Sequence, residues 1–556
     1  MYVRTTLSGF AVALFGVALV ALLGTQNEVA AVQSTQNVPP TSKAASHKAT
    51  TFEEFVDATI AQERRLAKLM RNFKPVIETY IQEEKTDPDD QTSPKADVYF
   101  LSRIRLAGNE LDVREFETRE HAKPERKRLL VKARPAAFAA ADFAQPMFPD
   151  LGHFDRQNYE FNLVRWEMVN EVRCIVIDVT PREDAGNRGF TGRIWVEDED
   201  NNIVRFTGIH STKAHSKRSF HFDSWRLNAL GNMWMPAYIY VQESNPNDPT
   251  SHNVWFKAQT RIWGYDLQQA GDHREYAKRL TDNPAAADPV RSEASQDLSP
   301  QLTVGEPAYT PEDKIVERLQ LAGLMAPDGE VDRVLEAVTN NLLITNNLDI
   351  AGVHCRVLLT TPLESFVVGR TIIVSRGLLD VLPDEASLAA VLAHELAHIV
   401  LHHSLEDPSQ HSVPFSDLEI FVKLRFRFDP AKESEANKEG QNLFSKSPYK
   451  DKAANVTRFF QALQVRSQQI PNLVQARFSN NFAASHLFGT QAVANSPIPN
   501  QPDQIAALPL GSRIKLDPWS DRIEMLKSKS PPPASSSENR PFEVSPFFPY
   551  LKRLQN

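Results

Sequence analysis

Two histidines four residues apart, with a glutamate just after the first, form the segment of this sequence best equipped for chemistry: His394-Glu395-Leu396-Ala397-His398. Leu388, Val391, Leu392, Ile399 and Val400 recur around it at helical spacing, and Asp384 after Pro383 is placed to cap the helix start. Residues four apart share a helix face, so the two imidazoles project side by side. That is the two-point grip a zinc ion takes at about 2.0–2.1 Å per nitrogen. Glu395 is directed beside the metal, where a carboxylate can accept a proton from water. Two imidazoles and a carboxylate in an otherwise apolar helix are costly to bury unpartnered, and one Zn2+ per chain supplies the partner.

Such a site needs a third protein ligand and an open fourth position. His402 and His403 are near, but the pattern that adds a third histidine on this stretch requires Gly at 401 and His at 404, which are Leu401 and Ser404. A better source is Asp429-Pro430-Ala431-Lys432-Glu433-Ser434-Glu435-Ala436-Asn437-Lys438-Glu439-Gly440. Asp429 as N-cap and Pro430 at the first helical position open a helix on which Glu433 and Asn437 share a side. Glu433 could reach the ion from this facing helix. Cys174 and Cys355 are too few to build a metal site, and a bridge between them is left open.

The elements that must position these groups lie in a chain of 556 residues, 41% hydrophobic and 24% charged, which is a globular composition long enough for three or four domains. Its net charge of -8 removes the positive field that nucleic-acid binding requires. Arg4, the apolar run Phe10 to Leu23 and the small residues up to Ala31 give residues 1–31 the pattern of a secretory signal, or of an uncleaved anchor. The body is therefore expected outside the cytoplasm, periplasmic or secreted. Residues 32–98 read as a leader followed by an amphipathic helix over Phe52 to Phe73. Period-two alternation, as in Cys174-Ile175-Val176-Ile177-Asp178-Val179, predicts an antiparallel β domain over 99–275. Clustered Asn-Pro, Asp-Pro, Ser-Pro and Glu-Pro mark a linker over 276–313, a mainly helical domain follows over 314–530, and 531–556 is a low-complexity tail.

Six of the seven tryptophans, Trp166, Trp195, Trp225, Trp234, Trp255 and Trp263, fall in the β region, as a filled core or as an apolar groove. The stretch from Cys174 to Tyr265, with its Gly192-Arg193-Ile194-Trp195-Val196 and Trp234-Met235-Pro236 strands, resembles the open half-barrel of the LolA-like lipoprotein carriers. That resemblance implies a lipid, a lipoprotein or an apolar protein segment as a partner of the β domain.

The segment order of residues 310 to 530 resembles the HtpX and BepA type of zinc metalloendopeptidase, metallopeptidase family forty-eight of the gluzincins. The matching stretches are Arg370-Thr371-Ile372-Ile373-Val374-Ser375-Arg376-Gly377-Leu378-Leu379, Pro383-Asp384-Glu385-Ala386, His394-Glu395-Leu396-Ala397-His398 and Glu433-Ser434-Glu435-Ala436-Asn437-Lys438-Glu439-Gly440. The resemblance implies His394, His398 and Glu433 as zinc ligands, Glu395 as general base, and Ile372, Ile373 and Val374 as the edge strand on which an extended peptide pairs. Three positions depart from the family. Asn437 stands where an aspartate braces a zinc-bound imidazole, and Glu364-Ser365-Phe366 replaces an Asn-Ala-Phe. Asp517-Pro518-Trp519-Ser520-Asp521-Arg522 keeps the Pro and Arg of a late His-Pro segment but not its His, leaving Asp517, Arg522 and His486 as open candidates near the transition state.

The expectation is an α+β multidomain protein, an antiparallel β half-barrel or sheet followed by a mainly helical zincin domain with a small edge-strand sheet. Its expected activity is hydrolysis of peptide bonds in unfolded or misassembled envelope proteins. Two alternatives remain from other classes: a weakened zincin acting as chaperone or adaptor, and a lipid or lipoprotein carrier with an accessory zinc domain.

Overall fold

In the computed structural model the described residues are 51–86, 92–116, 138–183, 189–211, 220–230, 233–244, 254–265, 311–403, 429–474, 508–526 and 542–554, all within a unit spanning Lys48–Asn556. The signal or anchor segment, most of the linker and His486 lie outside them. Alternating apolar and polar residues form ten strands: β1 (Val76–Thr86), β2 (Thr92–Ala107), β3 (Glu110–Glu115), β4 (Tyr159–Val169), β5 (Val172–Pro181), β6 (Gly189–Glu197), β7 (Ile203–Ser211), β8 (Phe222–Leu230), β9 (Met233–Ser244) and β10 (Val254–Trp263). They make one sheet in the order β3-β2-β1-β10-β9-β8-β7-β6-β5-β4, with every neighbouring pair antiparallel. The sheet thus begins at Val76, ahead of the expected boundary at 99. β1 escapes a reading for period two because its polar residues Glu78, Gln82 and Glu84 are buried alongside its apolar ones.

Other elements pack against each face of the sheet. The amphipathic helix forms as α1 (Phe52–Met70), opened by a capping box between Thr51 and Glu54. Its Phe55, Val56, Ile60, Leu66 and Met70 pack with Ile77, Ile81, Ile177, Phe206 and Phe256 of the sheet. Arg226, on β8, is almost completely buried beneath it and forms an ion pair with Glu63 of the helix, one Nη2–Oε2 contact being 2.9 Å. The short helix α2 (Ala140–Ala144) supplies Phe143 and Ala144 to the same cluster. On the opposite face, Trp195, Trp225, Trp234 and Tyr238 pack with Leu551 from the C-terminal segment. The expected low-complexity tail is therefore corrected over 542–554: Phe542, Val544 and Leu551 are buried, and Glu543 pairs with Lys257 of β10.

Helices α3 (Pro311–Leu321) and α4 (Glu330–Thr345) open the second half. Strands β11 (His354–Leu358), β12 (Ser365–Val368) and β13 (Thr371–Ser375) form a three-stranded sheet in the order β11-β13-β12, parallel between β11 and β13 and antiparallel between β12 and β13. This corrects the reading of Ile372, Ile373 and Val374 as an edge. They occupy the central strand, paired on both sides and fully buried, because their unbroken apolar run suits a strand covered on both faces. The rim strand beside the helix that carries His394 and His398 is β12.

Then follow α5 (Arg376–Val381), α6 (Glu385–Val400), α7 (Pro430–Ser445), α8 (Ala453–Arg466), α9 (Pro471–Val474) and the hairpin of β14 (Ile514–Leu516) and β15 (Ile523–Met525). Cys174 and Cys355 are both free and buried in different clusters, so no bridge joins them.

The two halves share one core, in which Val76, Tyr80, Leu101 and Trp263 pack with residues of α3 to α6. A buried ionic lattice crosses the seam. Arg376 Nη2 donates to Glu78 Oε2 at 2.8 Å and to Thr361 Oγ1 at 2.7 Å, and its Nη1 lies 3.4 Å from Asp380. Asp380 also accepts from the Gly511 and Ile514 amides, and Asp97 of β2 accepts from the Asn472 and Leu473 amides. Gly377 is required here: a Cβ would sit 1.7 Å from the Thr361 carbonyl oxygen.

Candidate metal centre

Helix α6 is buried from Ala386 to Ile399, and the side chain of its N-cap, Asp384, accepts from the Ser387 amide at 2.8 Å. Helix α7 starts as the sequence predicts, with Asp429 accepting from the Ala431 amide and Pro430 in the first turn. The two helices pack closely because Gly440 has no side chain. A Cβ there would meet His394 Cα at 2.9 Å and the Ala393 carbonyl oxygen at 3.2 Å. Glu433, Asn437 and Gly440 recur at helical spacing, so the close approach at Gly440 carries Glu433 toward the histidines.

His394 and His398 lie with Nε2 atoms 3.2 Å apart, and the Glu433 carboxylate oxygens stand 3.5 Å from His394 Nε2 and 3.7 Å from His398 Nε2. This is the only group of three candidate ligands found among the described residues. Three donors held on one ion by bonds of about 2.0–2.1 Å in tetrahedral geometry are separated by about 3.3–3.4 Å. The three distances match that spacing, and two imidazoles with a carboxylate are a donor set zinc accepts. Burial pushes the Glu433 carboxyl up, but hydrogen bonds and charge from His394 and His398 outweigh it and hold the group well below the usual carboxylate range.

Glu395 is buried, and its Oε1 accepts from Ser365 Oγ at 2.6 Å. Ser365 opens the rim strand β12, so one hydroxyl ties the expected general base to the strand beside it. The sequence marks Ser365 only as a departure from a family tripeptide.

A second role missed from sequence is that of His403, weighed there only as a third ligand. The α6 helix ends with His402 at φ 53°, which turns the chain back so that the His403 amide bonds the His398 carbonyl at 2.9 Å. His403 Nδ1 then lies 3.0 Å from His398 Nδ1, and its Nε2 lies 3.4 Å from Glu435. With His403 Nε2–H donating to Glu435, its Nδ1 accepts from His398 Nδ1–H, and Nε2 is then the unprotonated nitrogen of His398, the form that can ligate a metal. Burial, then the neighbouring His398, pulls the His403 imidazole below its ordinary range. The spacing of five residues from His398 is the sequence signal that could have found it.

Asn437 is buried one turn beyond Glu433 on α7. Asp517 and Arg522 are not brought to the cluster, and this corrects their reading. They bound the turn between β14 and β15, where the Asp517 carboxylate accepts from the Trp519 amide and the Ser520 hydroxyl and its amide bonds the Arg522 carbonyl. That turn faces the large sheet: Trp519 packs edge-on to Phe73, and Asp521 accepts from the Gly264 amide.

Two solved structures cover the sheet half. A LolA superfamily protein from Nitrosomonas europaea is 12% identical and covers 39% of this chain and 93% of its own length, with a TM-score of 0.23. A DUF1329 family protein from Desulfovibrio piger is 11% identical and covers 37% and 90%, with a TM-score of 0.20. No curated protein matches the chain. Residues 328–435 match the family model of peptidase family M48, which supports a metallopeptidase function. The matched span takes in His394, Glu395, His398 and Glu433, so the group of three candidate ligands lies inside the segment that is similar to that family.

Proposed function

We propose that this protein is a zinc-dependent endopeptidase acting on unfolded or misassembled proteins outside the cytoplasm. The observation that carries the reading is the convergence of His394, His398 and Glu433 at mutual distances of 3.2, 3.5 and 3.7 Å, from two helices separated in sequence. When bound there, zinc supplies a Lewis acid that polarises a carbonyl and lowers the pKa of water toward about 7. Glu395 takes a proton from the attacking water and returns it to the leaving amine. Ser365 orients that carboxylate by donating to Oε1. Strand β12, which ends the order of the small sheet among the described residues, is the strand that an extended peptide would join by strand addition. The apolar run from Phe10 to Leu23 supports placing the enzyme beyond the cytoplasmic membrane, cleaved or anchored.

The test is Glu395→Gln. It should retain one zinc per chain by metal analysis and lose cleavage of an unfolded protein by about 10²–10⁴-fold. Undiminished cleavage would refute the role given to Glu395. Asn437, uncharged where the family places aspartate, favours a second reading, a zinc-loaded chaperone or adaptor. The wild type would then suppress aggregation of the same substrate without cutting it. The carrier reading is weakened because α1 and α2 pack against the apolar face of the sheet.

A further inference from the structure

We propose that this chain forms a two-fold symmetric homodimer by pairing strand β4 with β4 of a second copy, centred on Trp166. β4 ends the ten-stranded order, and an end strand presents a row of backbone donors and acceptors that can template another strand. Most edge strands are blunted by charge, yet this one exposes Leu163 at 53%, Val164 at 38%, Trp166 at 56% and Met168 at 59%.

The choice of a second copy as the occupant follows from register. On β4, Leu163, Trp166 and Met168 stand opposite Ile177, Ile175 and Arg173, which puts them on the α1 side of the sheet. Arg165 and Glu167 stand opposite Val176 and Cys174, on the other side. A two-fold axis perpendicular to the sheet pairs residues of the same face, so three centres are available in mid-strand. Centring on Arg165 sets arginine against arginine, and centring on Glu167 sets glutamate against glutamate. Like charges directly opposite are destabilising. Centring on Trp166 sets Arg165 against Glu167 twice, Trp166 against itself, and Met168 against the bulged Leu163 and Val164 of the second copy. Within one copy Arg165 and Glu167 already lie 2.5 Å apart on one face, so both charges are arranged for the exchange. A strand that is self-complementary in one register fits its own copy better than an unrelated segment. The result is one antiparallel sheet continuing through both molecules.

The test uses the full chain carrying Glu395→Gln to prevent self-cleavage. Sedimentation should give twice the monomer mass. Trp166→Cys should cross-link to itself under mild oxidation, since its Cβ atoms would be about 4.5–5.5 Å apart. Asn162→Cys, an exposed position four residues off the axis, should not, because its two copies would lie about 26 Å apart. Native Cys174 and Cys355 are buried and do not compete. Arg165→Glu and Glu167→Arg should each weaken dimerisation about tenfold, because each unfavourable pair occurs twice across the axis, and the double swap should restore it. A monomeric Glu395→Gln chain overturns the proposal. So does a dimer that both single swaps leave unchanged, since it would use another surface, and so does a complex in which β4 is held only by an unrelated polypeptide.

Discussion

Gly440→Ala probes the geometry of the candidate metal centre without touching a candidate ligand. The new methyl carbon would sit 2.9 Å from His394 Cα, 3.1 Å from its amide nitrogen and 3.2 Å from the Ala393 carbonyl oxygen. Carbon atoms rest at about 3.5–4.0 Å, and all three neighbours are backbone atoms of a buried helix that cannot swing aside. Helix α7 must therefore retreat from α6 by roughly half an ångström to one ångström. Glu433 lies seven residues, or about two turns, away on the same rigid helix, so the shift reaches its carboxylate. Metal–ligand distances tolerate only about ±0.2 Å, and that displacement exceeds the tolerance. Overpacking of this size costs about 1–3 kcal/mol, which corresponds to roughly a five- to 150-fold loss of zinc affinity where the strain falls on the bound state. The assay is zinc competition with a chelator, performed on the Glu395→Gln background. Gln441→Ala, exposed on the same helix, serves as the control. Wild-type zinc affinity in Gly440→Ala would show that α7 does not hold Glu433 through this contact and would refute the reasoning.

Three other outcomes follow from the same coordinates. His403→Ala should lower zinc affinity about 10–100-fold by freeing His398 to rotate, with Glu435→Gln producing a smaller loss; equal affinity in all three proteins would remove the relay. Asp332, which accepts from the Gly329 amide near the start of α4, is pushed up to about 6 from 3.8, chiefly by burial. A raised folded-state value contributes stability that is complete below about pH 4 and lost as pH rises through 6. Asp332→Asn should therefore gain about 1–3 kcal/mol on the wild type between pH 4 and pH 7 in denaturant titrations, and a pH-independent gap would contradict this. Arg376→Met strands Glu78 in the seam and should cost about 3–5 kcal/mol, of which Glu78→Gln in the same chain should recover a large part; additive losses would mean the two do not interact.

What could be read from the sequence is what depends on neighbours along the chain. His394, Glu395 and His398 lie on one helix whose cap and apolar spacing are local, and Asp429 and Pro430 fix the start of the helix bearing Glu433. The strands from Cys174 to Trp263 declare themselves by alternation. What could not be read depends on contacts made across the chain. Ile372 to Val374 form a strand in either case, but its place between β11 and β12 is a matter of topology, which an apolar run does not encode. His403 becomes a partner of His398 only because His402 takes a left-handed turn, and Asp517 was assigned by correspondence to a family position whereas its carboxylate is spent on its own turn.

The same distinction explains why the two halves do not separate where composition changes. A polar residue in a strand reads as solvent-facing when only its neighbours are known, so Glu78, Gln82 and Asp97 suggest an outer surface. In the fold their partners come from far along the chain: Arg376 and Thr361 for Glu78, the Phe542 carbonyl and Val544 amide for Gln82, and Asn472 and Leu473 for Asp97. Each of these groups would be costly to bury alone, and each is satisfied only when sheet, helices and C-terminal segment close together. Arg376 directly follows the central strand β13 and Thr361 precedes the rim strand β12, so the seam sets the frame from which Ser365 reaches Glu395. The large sheet is thereby a structural support of the candidate metal centre, one that a reading of separate domains joined by a linker would leave out.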